Sequence, residues 1–167
     1  MSQKLTIPDF QKMIRRALTD VTARAGEFSE LDAVIGDGDH GEAIVTALNA
    51  IARVAGADDA AGKDFKVLLA DMGFGVMLET SGSTSTLLGG LLLGMSDGVP
   101  AGLSALDAAQ VKAMFRGGLE GVQKNTKAMP GDKTMMDALY PAVQAIEACP
   151  SDDVAVILKA GAEAAQK

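Results

Sequence analysis

The eleven residues Leu31-Asp32-Ala33-Val34-Ile35-Gly36-Asp37-Gly38-Asp39-His40-Gly41 gather three carboxylates, three glycines and the only histidine of the chain. Asp37 and Asp39 stand two residues apart in a stretch too glycine-rich for regular structure. Both side chains can point the same way, and they repel unless a cation lies between them. Asp32, five residues back, supplies a third oxygen donor. Hard oxygen ligands, few in number and set beside flexible backbone, suit Mg²⁺ that keeps several waters and is completed by phosphate oxygens. The segment therefore points to a magnesium-nucleotide site. The alternative is a solvated Asp/Gly turn that caps the next helix.

Two other patterns overlap this segment. Gly36-x-Gly38-x-x-Gly41 satisfies the dinucleotide fingerprint, with Asp58 and Asp59 near the spacing of a ribose-binding acid. That motif needs a βαβ unit, and no second strand pattern follows. Two aspartates in the turn would also repel a bare pyrophosphate. An EF-hand loop fails because its ligand pattern breaks at Gly41 and no glutamate closes it at the required distance.

Two more segments can join the site. Thr80-Ser81-Gly82-Ser83-Thr84-Ser85-Thr86 places six hydroxyls around one glycine, immediately before an apolar run. Backbone N–H groups at a helix start, backed by hydroxyls, form a phosphate cradle. Taken alone, the stretch reads more simply as a polar loop with redundant caps; beside a metal loop the cradle is favoured. Pro130-Gly131-Asp132-Lys133-Thr134 is not a Walker A loop, since its lysine follows Asp and no strand precedes it. Asp132 is expected to cap a helix there. Lys133 reads either as a balance for acidic groups or phosphate across the site, or as a plain surface charge. Three aspartates and a nucleoside triphosphate would gather roughly seven negative charges, of which two Mg²⁺ cancel four. His40 is expected to touch phosphate or cap the helix. No nucleophile is evidently paired with it, so no catalytic residue is expected apart from the metal ligands.

The elements that must position these groups read as helices. Apolar residues make up 48% of the 167 and aromatics only 4%, so the core is assembled from Leu, Ala, Val, Ile and Met. One domain spanning residues 1–167 is expected. Thr6 and Pro8 open a helix whose stripe is Phe10, Met13, Ile14, Ala17, Leu18 and Val21, ending near Gly26. A short helical piece at Phe28 to Leu31 leads into the acidic loop. Further helices are expected from the loop to Gly56, from Asp64 to Glu79, from Thr86 to Ser96, and from Ser104 with Asp107 through Val122. Thr134 to Cys149 follows, kinked at Pro141, then a last helix capped by Ser151 or Asp152 that runs to the end. No segment alternates with period two for long. The expected class is all-α, a bundle or closed barrel of antiparallel amphipathic helices with the site in loops at one end.

Charge and composition exclude some partners. A net charge of −7, with no Lys/Arg cluster on one element, argues against a nucleic-acid partner. Lone Cys149 forms no internal disulfide, which fits a reducing compartment. The amino terminus lacks a signal-peptide core, and the longest apolar stretch, Leu87 to Met95, is too short to span a bilayer. A cytoplasmic protein without membrane contact is expected.

The acidic segment, together with Gly121-Val122-Gln123-Lys124 and Gly131-Asp132-Lys133-Thr134-Met135-x-Asp137-Ala138-Leu139, resembles the nucleotide-binding L subunit of dihydroxyacetone kinase, the DhaL family, over nearly the whole chain. Related fatty-acid kinase domains carry threonine where His40 stands, so the histidine points to the sugar-kinase branch. The resemblance implies a closed helical barrel holding ADP or ATP and two Mg²⁺. It implies Asp32, Asp37 and Asp39 as metal ligands, and His40, Gly41, Glu42, Ala43, Ser83, Thr84, Thr126 and Met135 at the nucleotide. It also implies a kinase subunit active only with a partner, transferring phosphate to dihydroxyacetone or another small keto-sugar held covalently by a histidine on a separate K subunit. In some systems the L subunit keeps ADP and is recharged by a phosphotransferase-system protein; in others it exchanges ATP. Both modes stay open, as does a homodimer. The rival readings are a regulatory module that reports its nucleotide state without turnover, and a structural helical protein with an incidental acidic loop.

Three departures from the family pattern stand out. Ser81 to Leu87 replaces Gly-Gly-Ala-Ser-Gly-Pro-Leu; Thr126 stands at a usual glycine and Ala43 at a usual asparagine. The 167 residues also end before the family's last helix and its Arg and Asp-Pro-Gly elements.

Overall fold

A computed structural model describes residues 3–166. The chain runs β1 (Leu5–Thr6), α1 (Ile7–Thr22), α2 (Ala25–Asp32), α3 (His40–Ala55), a single 3₁₀ turn (Ala60–Gly62), α4 (Phe65–Glu79), α5 (Gly82–Asp97), β2 (Ala105–Leu106), α6 (Ala108–Gln123), α7 (Met136–Ala148) and α8 (Val154–Ala165). It is an all-α bundle, and its two-residue strands pair antiparallel, Leu5 opposite Leu106. That pair ties the segment before α1 to the segment before α6. From α3 onward each helix packs against the next, while α1 and α2 both lie on α3.

Among the described residues, side-chain caps open four of the eight helices, α1, α4, α6 and α8. Thr6 Oγ1 accepts from Asp9 N at 3.3 Å, with Pro8 in the first turn of α1. Asp64 Oδ1 accepts from Val67 N at 2.8 Å and opens α4. Asp107 and Gln110 exchange bonds of 3.0 and 2.9 Å in a capping box at α6. The core lies where α1, α3, α4 and α5 meet. Ile7, Ile14, Ile51, Phe65, Leu68, Leu69, Met72 and Val76 are buried there, and the rings of Phe10 and Phe65 pack 5.7 Å apart. Between α4 and α5 a reciprocal clasp joins Lys66 Nζ to Ser96 O at 2.9 Å and Ser96 Oγ to Lys66 O at 2.8 Å.

The helices follow the sequence pattern with a few shifted starts. α2 is two turns long and runs through Gly26 rather than starting at Phe28, because Arg24 and Ala25 already turn the chain. α5 starts at Gly82, not Thr86, so Ser83 to Thr86 form its first turns, and Ser85 is buried. Asp153, not Ser151 or Asp152, caps α8 by accepting from Ala155 N; Ser151 Oγ instead accepts from Asp153 N. Asp132 does not cap α7. Its carboxylate accepts from Met129 N within the loop, and Asp137 holds the helix start. The last helix closes at Ala165, and Lys167 lies outside the described residues.

The glycines of α5, which lower helix propensity, are explained by its contact with α6. A Cβ on Gly94 would overlap the carbonyl oxygen of Gly117, and one on Gly117 would overlap that of Gly94. Backbone meets backbone there, so no side chain can move aside. Gly94→Ala is therefore expected to lower stability by about 1–3 kcal/mol, read as a lower denaturant midpoint at unchanged slope. Gly26→Ala, with open space around its Cβ inside α2, is expected to raise stability by up to about 1 kcal/mol.

Candidate functional site

The acidic segment forms the elbow between α2 and α3. Asp32 is the last residue of α2, and its main-chain oxygen accepts from Ile35 N at 3.1 Å and Gly36 N at 2.6 Å, which curls the chain back. Its Oδ2 accepts from Gly38 N at 2.9 Å. Gly38 sits at φ +80°, a conformation that glycine adopts without penalty. The elbow then locks onto α2: Gly41 N donates to Ser29 Oγ at 3.1 Å, and a Cβ on Gly41 would overlap Ala25 O. Asp39 is the N-cap of α3 but makes no side-chain capping bond.

These turns place one carboxylate oxygen each of Asp32, Asp37 and Asp39 within 4.8 Å of one another. Among the described residues none of the three forms an ion pair. The Asp37 charge pushes the Asp39 carboxyl above its ordinary range, with burial and the Asp32 and Glu42 charges adding to it. Oxygen donors this close, without a counter-charge of the protein's own, form a site that a hard divalent cation fits.

Two cavities meet beside this cluster. One, of about 760 Å³, is polar and takes in Asp32, Asp37, Asp39, His40, Glu42 and Ala43 together with residues 80–84. The N-termini of α3 and α5 both open on it. The other, of about 550 Å³, is walled by Phe28, Leu31, Ile35, Ile44, Leu87, Leu88 and Met135, with Asp32, His40, Ser83, Thr84 and Thr126 on its polar side. Both volumes lie in the range of small-molecule sites. Asp32, His40, Ser83 and Thr84 border both, so the two cavities adjoin at Asp32 and the start of α5, while Asp37 and Asp39 line the polar one alone.

The structure thus gathers nearly all the residues singled out from sequence. Gly41 is the exception: it is buried against α2 and lines neither cavity, because its N–H is committed to Ser29. The apolar wall was missed. Phe28, Leu31 and Ile35 stand at i, i+3 and i+7, and that helical spacing running into the acidic loop was the available signal; Ile35 is 96% exposed beside the acidic cluster. Glu79 and Leu78, at the end of α4, were missed as well.

The arrangement has a selective chemistry. Carboxylates repel a bare phosphate, and the positive ends of α3 and α5 repel a bare cation. A cation paired with phosphate satisfies both.

The Asp37–Asp39 repulsion also sets a pH dependence. A carboxyl whose folded pKa is raised destabilises the fold above that pKa, and the penalty vanishes below the unfolded value. Asp39→Asn is therefore expected to raise the melting temperature at pH 7 in chelator. The gain should shrink as pH falls through the carboxylate range, as thermal melts from pH 7 to 3 would show.

Residues 34–167 match the DAK2 domain. The chain is 31% identical over 135 residues to the ADP-binding subunit DhaL of PEP-dependent dihydroxyacetone kinase 1 of Listeria innocua, covering 78% of this chain and 66% of that protein. It is 30% identical over 145 residues to the corresponding Escherichia coli subunit, covering 82% and 64%. It is 32% identical over 117 residues to L-erythrulose 1-kinase of Mycolicibacterium smegmatis, covering 69% of this chain and 20% of that enzyme. The chain thus spans just under two thirds of the length of the two DhaL subunits. With the match running from residue 34 to residue 167, the chain belongs to the DAK2 domain family.

Proposed function

We propose that this chain is the phosphoryl-donor subunit of a dihydroxyacetone-type kinase. It binds ADP or ATP with two Mg²⁺ and passes phosphate to a small keto-sugar held on a separate K-type subunit. The observation that carries the reading is the meeting of the three-carboxylate cluster with the starts of α3 and α5 at one polar cavity. The relatives' names support it: two are ADP-binding subunits of a dihydroxyacetone kinase and one is an erythrulose kinase. A three- or four-carbon ketose is therefore the acceptor class.

Each residue has a role in this reading. Asp32, Asp37 and Asp39 hold the metal, which when bound neutralises charge on the phosphates. The first-turn N–H groups of α5, with the Ser83 and Thr84 hydroxyls, donate to phosphate oxygens. His40, Glu42 and Ala43 line the start of α3 toward the same anion, while Gly41 seats that start on α2. Thr126 and Met135 flank the apolar cavity, which takes the base. Catalysis is positioning and charge neutralisation, completed when the partner brings its sugar. A phosphoenolpyruvate-linked donor recharging bound ADP fits the PEP-dependent relatives. Residues 1–167 are read as one domain. No described helix is long and apolar enough to cross a membrane, and a cytoplasmic location fits the kinase reading.

Calorimetric titration with ADP and ATP, with and without Mg²⁺, tests the reading beside the double variant Asp37→Ala/Asp39→Ala. Metal-dependent binding that the variant loses is expected, with turnover of dihydroxyacetone only after a K-type subunit is added. A folded native chain that binds neither nucleotide in Mg²⁺ would overturn it.

A further inference from the structure

We propose that Lys133 is the protein's own cationic contact for the nucleotide polyphosphate, presented by a left-handed turn that Asp137 locks. The inference rests on the donor-subunit reading above and adds to it a residue outside the metal cluster and the helix starts.

The first observation is one of charge. Of the fifteen Lys and Arg residues in the chain, Lys133 is the only one among the described residues on the wall of either cavity: it lines the apolar one, which borders the polar one at Asp32, His40, Ser83 and Thr84. Their walls carry Asp32, Asp37, Asp39, Glu42 and Glu79. Glu79 is paired with Arg53, while Lys133 forms no ion pair among the described residues. Two Mg²⁺ would offset the three aspartates and about one further charge, leaving most of the polyphosphate charge uncompensated. A lysine at the cavity wall is the compact point charge suited to it.

The second observation is conformational and independent of the first. Lys133 has φ +58° and is the only non-glycine residue at positive φ among those described. That region admits Gly and Asn readily and a long side chain rarely. The turn is imposed from outside Lys133. Asp137 accepts from Gly131 N through Oδ1 at 2.5 Å and from Thr134 N through Oδ2 at 2.8 Å, bracketing the lysine on both sides. Those backbone donors hold the Asp137 carboxyl below the usual range, so the lock stays anionic at neutral pH. Glycine would make the same turn without strain. A lysine kept in it and left unpaired at a cavity wall marks a side chain that is used.

Three variants separate the charge from the turn. Lys133→Met removes the charge and keeps the length; Lys133→Gly removes the side chain and relaxes the turn; Lys133→Arg keeps the charge. MgADP affinity by calorimetry is expected to fall about tenfold in the Met and Gly variants and to stay within about threefold of native in the Arg variant. The nucleotide-free Gly variant should melt no lower than native. A Gly variant that binds MgADP as native does would overturn the proposal while leaving the donor-subunit reading intact. A native chain that binds no MgADP would instead overturn that reading, and this inference with it.

Discussion

Three carboxylates that repel one another are held at the α2–α3 elbow, and the surrounding structure has to keep them there. The elbow is strong because its bonds are local and redundant. The Asp32 main chain anchors the turn, its side chain grips Gly38, and Ser29 grips Gly41. Gly41 has no Cβ, so α3 starts in contact with the backbone of α2. From there α3 leads into the core through Ala47, Ala50 and Ile51, all buried, and packs on α1 and α4. The repulsion is thus borne by the bundle rather than relieved by a neighbouring lysine or arginine.

The same demand for close approach recurs at the opposite side of the site. α5 delivers its first turn to the polar cavity, and its position depends on packing against α4 and α6. Glycines at its α6 face remove the side chains that would separate the backbones, and the Lys66–Ser96 clasp fixes it to α4. Few aromatics are needed where helices sit this close. That explains how a chain with 4% aromatic residues builds a core around one Phe–Phe contact and many small or branched side chains.

Much of this was legible in the sequence because its signals are local. The Asp37-Gly38-Asp39 spacing, the Thr6 cap, the helix starts at Asp64 and Asp107 and the apolar periods of α1, α3 and α6 all act within a few residues. What was not legible depends on distant partners. The hydroxyl run reads as a loop, yet Ser85 turns inward and α5 starts at Gly82 because neighbouring helices supply the packing that its own glycines lack. Asp132 looked like the cap of α7 by position. Asp137, inside the helix, does the work by reaching back to Gly131 and Thr134. Phe28, Leu31 and Ile35 carry the helical spacing i, i+3 and i+7, but nothing local tells that this stripe faces a cavity rather than a helix.

The opposed fields at the polar cavity make an argument about order. On the proposed reading, a cation arriving alone meets the positive ends of α3 and α5, and a nucleotide arriving alone meets Asp32, Asp37, Asp39 and Glu42. Each removes the obstacle to the other, so metal and nucleotide must bind with positive coupling, and linkage requires the factor to be the same in either order. The coupling needs no movement of the scaffold, because the elbow and the first turn of α5 are already held by hydrogen bonds and packing. On that reading the site holds its nucleotide more tightly with the metal than without it, and the phosphate end lies on the polar side, where an acceptor subunit would approach without entering the apolar cavity.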